Sequence, residues 1–99
     1  MAFPEGFEWD SEKARTNLSK HGVDFEDIVR LFDSAFFEDP DRFHSGFEDR
    51  YLILGILEGV VYCVALTYRE DRRRLISARR AKPEEAREFY SRLFGDPLS

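Results

Sequence analysis

The sequence has one cysteine, Cys63, in 99 residues. No internal disulfide is possible, which suits a reducing, cytoplasmic setting. Cys63 lies in an apolar, strand-like run and is expected to be a small buried hydrophobe rather than a nucleophile. Long apolar runs are also missing: Tyr51 to Leu57, for one, is strand-length and far short of the roughly 20 residues of a membrane span. No basic segment leads into an apolar stretch at the N-terminus, so export is not expected. Metal-ligand spacing is absent. There are two histidines and one cysteine, and the Asp39, Asp41 pair lacks a third partner. Neither a Gly-rich phosphate loop nor a Ser/His/Asp order is present, so neither metal nor cofactor is expected. Positive charge is outnumbered overall, 15 Lys and Arg against 20 Asp and Glu. A net charge of −5 and a pI near 5.0 exclude a protein that coats nucleic acid electrostatically, yet leave room for an enzyme that touches a few phosphates.

What the chain does have is apolar bulk, 42% hydrophobic with ten phenylalanines, enough for one core and hence one domain over residues 1–99. Phe7-Glu8-Trp9-Asp10 alternates as a short strand does, and Asp10 is placed to cap a helix over Ser11 to His21. That helix sets Ala14, Leu18 and His21 on one stripe, with Lys13, Asn17 and Lys20 along its flank, and Gly22 ends it. Asp24 opens a second helix, with Val23 set to pack on Ile28 and a stripe of Phe25, Ile28, Val29 and Phe32. Ala35-Phe36-Phe37 is a short strand candidate, and the acidic stretch from Glu38 to Asp49, with His44, is expected to be loop.

Arg50 to Leu57, Val60 to Tyr68 and Arg72 to Ala78 then predict three strands joined by short turns, an antiparallel meander. Pro83 and Glu84-Glu85 open a last helix whose Ala86, Phe89, Tyr90, Leu93 and Phe94 repeat as a face that must be buried. The order β-α-α-β-β-β-β-α, helices segregated from a block of strands, indicates an α+β fold with an antiparallel sheet.

One segment concentrates the positive charge. Arg69, Arg72, Arg73, Arg74, Arg79, Arg80 and Lys82 stand against Glu70 and Asp71, a local 7 − 2 = +5, which leaves −10 for the rest of the −5 chain. Such a cluster is either an anion site, since guanidinium groups grip phosphates bidentately, or a solvated edge that protects a strand from aggregation.

Phe7-Glu8-Trp9-Asp10, Lys13, Asn17, Lys20-His21-Gly22-Val23, Phe25-Glu26, Glu48-x-Arg50, Gly55 and Ile76-Ser77-Ala78-Arg79-Arg80-Ala81 together resemble the BrnT family, over roughly Phe7 to Tyr90. Those proteins are the toxin halves of bacterial type II toxin–antitoxin pairs. The resemblance implies a RelE-like fold and a ribonuclease activity that blocks translation. It also implies a cognate antitoxin, BrnA-like, of ribbon-helix-helix type, which neutralises the toxin and represses the shared operon by binding its operator DNA.

RNA cleavage without a metal needs a base for the 2′-OH proton, cations around the crowded phosphorane, and an acid for the leaving 5′-oxygen. Arg79 and Arg80 stand where the last strand hands over to the last helix, whose N-terminus itself favours a phosphate. Strict alternation would send Arg72, Arg74, Ile76 and Ala78 to one face and Arg73, Leu75 and Ser77 to the other, with Arg79 and Arg80 on opposite sides. An ion pair to Glu84, Glu85 or Glu48 is the structural alternative for either arginine. His21 is a candidate because an imidazole ordinarily titrates near neutrality, or else it caps its helix. Lys20 and Lys13 can reach a phosphate from the helix flank. Glu48 and Arg50, two residues apart on one strand face, are a candidate base and phosphate ligand or a rim ion pair. Arg74 and Lys82 complete the expected substrate contacts. A non-catalytic module that docks an antitoxin is the rival reading, since an exposed sheet edge and an arginine-rich surface suit protein partners too.

Overall fold

The computed structural model describes residues 2–43, 46 and 48–95; His44 lies outside the described residues. The elements are β1 (Phe7–Trp9), α1 (Ser11–His21), α2 (Phe25–Ile28), a 3-10 turn over Val29–Asp33, β2 (Phe36–Pro40), β3 (Tyr51–Leu57), β4 (Val60–Arg69), β5 (Arg72–Arg80) and α3 (Pro83–Phe94). This is the expected α+β arrangement, built on an open five-stranded sheet in the order β1-β5-β4-β3-β2.

The sheet is mixed rather than purely antiparallel. β3, β4 and β5 form the predicted meander, but β1 runs parallel to β5, with Phe7 opposite Arg73 and Trp9 opposite Leu75. β2 is longer than predicted and takes Glu38, Asp39 and Pro40 from the expected loop, pairing Phe36 with Gly55 through Pro40 with Tyr51. Its place at the sheet edge explains the error, because an edge strand tolerates acids and a proline that an inner strand would not. The second helix stops at Ile28 and tightens into the 3-10 turn, which seats Leu31 directly on Gly55.

β5 departs from strict alternation. Leu66 pairs with Leu75 and Ala65 with Ser77, so Ile76 is the extra residue of a bulge. The bulge reverses the predicted faces beyond it. Leu75 and Ala78 both point into one core, and Ser77 joins Arg74 and Arg79 on the other side.

The larger core lies between the sheet and the first helices, with Phe25, Ile28, Leu31, Ile53, Val64 and Leu66 fully buried. Each contributes on the order of 1.5–3 kcal/mol by leaving water. On the opposite face α3 covers only one end, through Phe89 on Leu54, Val61 and Cys63. Its apolar stripe is therefore only partly buried, contrary to expectation: Tyr90, Leu93 and Phe94 are exposed. The far end of that sheet face is left open, and the arrangement of the site follows from this.

Candidate active site

α1 is fixed at both ends. The Asp10 carboxylate accepts the N–H groups of Glu12 at 2.8 Å and Lys13 at 3.1 Å, and Gly22, at φ 69°, donates its N–H to the Leu18 carbonyl. Of the predicted stripe only Ala14 packs against the core. Leu18 and His21 are exposed, and the buried residue is Asn17, 4% accessible. Its Nδ2 donates to the carbonyls of Val23 at 3.0 Å and Ala78 at 2.9 Å, while its Oδ1 accepts the Ala78 N–H at 2.9 Å. β1 pairs with β5 only as far as Leu75, so the amide of Asn17 supplies at Ala78 the partner that a neighbouring strand would have supplied.

Docked in this way, α1 lines a cleft of about 270 Å³ with Glu12, Lys13, Thr16, Asn17, Lys20 and His21, closed by Ile76 and Ser77 of β5. Lys13 and Lys20 sit two turns apart, about 10 Å along the axis. A second cleft of about 300 Å³ occupies the sheet face that α3 leaves open, between Arg50, Leu52, Cys63, Ala65, Ile76, Ser77, Arg79, Asp41 and Phe43. The two clefts meet at Ile76 and Ser77, the bulge and the residue after it. The first cleft carries Lys13, Lys20 and His21, and the second, adjoining it at Ile76 and Ser77, carries Arg50 and Arg79. The carboxylates they include are Glu12, which pairs with Arg15, and the buried Asp41.

The cations differ in their freedom. Arg79 forks onto Glu85 of α3, with Nη1 to Oε1 at 2.7 Å and Nη2 to Oε2 at 3.0 Å. This bonding raises the Arg79 pKa and holds the Glu85 carboxyl below its ordinary value. Glu85 Oε1 also accepts the Lys82 N–H at 2.7 Å, so one carboxylate both caps α3 and fixes Arg79. Among the described residues, Lys13, Lys20 and Arg50 make no ion pair. On the cleft floor, burial and then the nearby Glu85 push the Cys63 thiol up to about 11, so it stays protonated and is no nucleophile at neutral pH.

The remaining sequence-predicted residues stand elsewhere. Arg80 pairs in register with Tyr62 and lies on the other side of the sheet, beside Asp24, Asp27 and His21. Arg74 is half-buried and bound to Glu8 of β1. Lys82 is the N-cap of α3, exposed. Glu48 is also exposed and precedes β3, which begins at Tyr51, so the expected strand pair of Glu48 and Arg50 does not form. Sequence reasoning did not single out Phe43, which stands at the cleft mouth within the stretch read as loop, or Ser77, misplaced by the unforeseen bulge.

A small α+β protein with a cation-lined cleft on an open sheet face has the chemistry of an anion-binding protein, one suited to phosphodiesters. The chain belongs to the family of BrnT ribonuclease toxins of type II toxin–antitoxin systems, whose family model matches residues 9–85. That span holds α1, the bulged β5 and the first turn of α3, hence every cleft residue named above. No curated protein matches the chain. Membership in a type II system brings a cognate antitoxin as partner. No helix among the described residues is long and apolar enough to cross a membrane.

Proposed function

We propose that this protein cleaves RNA in the cytoplasm by a metal-independent route and so inhibits translation, and that the two adjoining clefts are its active site. In this reading the ribose 2′-oxygen attacks the adjacent phosphorus, its proton passes to a base, and the P–O5′ bond breaks as the leaving oxygen is protonated. The products are a 2′,3′-cyclic phosphate and a 5′-hydroxyl. Lys13, Lys20, Arg50 and Arg79 hold the phosphate and its developing charge, and His21, exposed at the rim, is the imidazole available for proton transfer. The observation that carries the reading is that Lys13, Lys20 and Arg50 line two clefts that share Ile76 and Ser77, and have no carboxylate partners among the described residues. Arg80, Glu48, Arg74 and Lys82 are given no step: none of them lines either cleft, and Arg80 meets His21 only at a third, on the other side of the sheet. The antitoxin is taken to be a ribbon-helix-helix protein that would carry operator binding for the pair.

The rival, a non-catalytic module that docks the antitoxin, draws on the exposed flank of Tyr90, Leu93 and Phe94 on α3. Purified protein incubated with RNA in EDTA separates the two: cyclic-phosphate ends support the enzyme, and intact RNA with tight antitoxin binding supports the module. Arg50→Ala is expected to slow cleavage by about 10²-fold in a folded protein, and Arg80→Ala to leave it within a few-fold. A folded Arg50→Ala protein that cleaves at the wild-type rate overturns the cleft assignment.

A further inference from the structure

We infer that Phe43 is a stacking platform for an RNA base, and that the protein therefore takes unpaired, single-stranded RNA as its substrate. The inference rests on the nuclease reading above and adds a residue and a substrate class to it.

Phe43 is 94% exposed, the most exposed large apolar side chain among the described residues. Its position is nonetheless anchored. Its N–H donates to the Asp41 carboxylate at 3.2 Å, Asp41 is 5% exposed, and the Asp41 N–H donates to the carbonyl of Arg50 at 2.8 Å. The backbone at Phe43 is thus tied through Asp41 to Arg50, just ahead of β3, and Phe43 lines the same cleft as Arg50 and Arg79. A flat apolar face on a cleft that two arginines also line matches the make-up of a nucleotide, which presents a flat π-face next to an anionic phosphodiester. Stacking is open to any base, because every base has such a face, but only when the base is out of its duplex. A peptide partner would want a bounded apolar pocket at this point. Here the ring faces water, with charge on its flank.

The test compares three ligands and three variants. The ligands are a 2′-O-methyl single-stranded RNA, which cannot be cleaved, the same strand in a duplex, and inorganic polyphosphate. The variants are Phe43→Ala, Phe43→Leu and Phe43→Trp. Loss of one stacked base weakens binding by about 5- to 150-fold. Phe43→Ala and Phe43→Leu are expected to lose single-strand affinity on that scale, and to raise KM for cleavable RNA with kcat little changed. Phe43→Trp is expected to restore both. Polyphosphate binding should be the same in all variants, since the cations are untouched, and the wild-type protein should bind the duplex worse than the single strand.

If wild-type protein cleaves RNA and Phe43→Ala has the same KM, the platform is refuted and the nuclease stands. A parallel loss of polyphosphate binding refutes it as well, by showing that the cleft as a whole has shifted. Loss of antitoxin affinity with RNA binding intact makes Phe43 a protein contact instead. If the wild-type protein neither binds nor cleaves RNA, the nuclease reading fails and this inference goes with it.

Discussion

Replacing Asn17 by alanine tests whether α1 is held to the sheet by one side chain. The amide makes three hydrogen bonds in a site 4% exposed, two of them to the backbone of Ala78 and one to the carbonyl of Val23. Alanine leaves an N–H and two carbonyls without those bonds in a place water reaches poorly. At about 1 kcal/mol net for each bond, the loss is about 3 kcal/mol, and more if the orphaned groups stay dry. A domain of this size has roughly 5–15 kcal/mol to lose, and about 3 kcal/mol corresponds to a Tm lower by roughly 10–20 °C. Urea denaturation with a shared m-value measures the difference. Asn17→Asp sharpens the test, because it keeps the shape but turns an oxygen towards two carbonyl oxygens. A buried aspartate so placed has a raised pKa, and its neutral form can still donate to one carbonyl. Its deficit should therefore be smallest below pH 4 and grow as pH rises through the raised value. An Asn17→Ala protein within about 0.5 kcal/mol of wild type, or an Asn17→Asp protein with the same deficit at every pH, would show that α1 is held by its other contacts.

Gly55→Ala would place a Cβ at 2.3 Å from Leu31 Cδ2 and 2.8 Å from Cγ, and Leu31 is fully buried. Overpacking of this kind costs about 1–3 kcal/mol, read as a lower urea midpoint with m unchanged. Glu85→Gln should cost about 1–2 kcal/mol at neutral pH by weakening the fork that holds Arg79. The Glu85 carboxyl is held below its ordinary 4.5, first by Arg79, then by the Lys82 N–H against burial. The stabilisation is complete above that ordinary value and is lost as pH falls through the lowered one, so wild-type and Glu85→Gln stabilities should converge in acid. A gap constant from pH 7 to pH 2 would show that the ion pair contributes nothing.

How much was readable from sequence depended on whether the signal was local. Asp10, Gly22 and Asp24 fix helix ends through bonds within a few residues, Pro83 does so through its fixed φ, and all four were legible. The hairpin at Glu58-Gly59 was legible for the same reason, both residues taking positive φ. What failed depended on distant partners. The parallel pairing of β1 with β5 joins residues more than sixty positions apart, and β2 extends through an acidic stretch only because β3 is there to pair with it. Asn17 was placed on a polar flank because no local rule says that an amide will complete a strand edge at Ala78. The flank of α1 that carries Lys13 and Lys20 was legible from helical spacing, whereas Arg50 was expected within a strand that begins one residue later, and Phe43 carried no signal until the loop was seen beside the cleft.

The arginine-rich strand shows why a linear charge count misleads. Of the seven basic residues between Arg69 and Lys82, Arg72 and Arg74 converge on Glu8, Arg73 lies under Phe7, Phe32 and Phe36 with its guanidinium 4.7 Å from the Phe32 centroid, and Arg79 is held by Glu85. Those four mainly cross-link the fold, tying β1, the 3-10 turn, β2 and α3 to β5. Arg80 points to the opposite face. A strand divides any run of charge between two surfaces, and each arginine that finds a carboxylate is subtracted from what a ligand can feel. Apart from Arg79, the cations that line the clefts come from α1 and from just ahead of β3, both earlier in the chain than β5, by about fifty and about twenty residues. An acidic chain can therefore present cation-lined clefts, because what a phosphate meets is set by which charges remain unpaired on a concave surface, and the net charge of −5 averages over all the others.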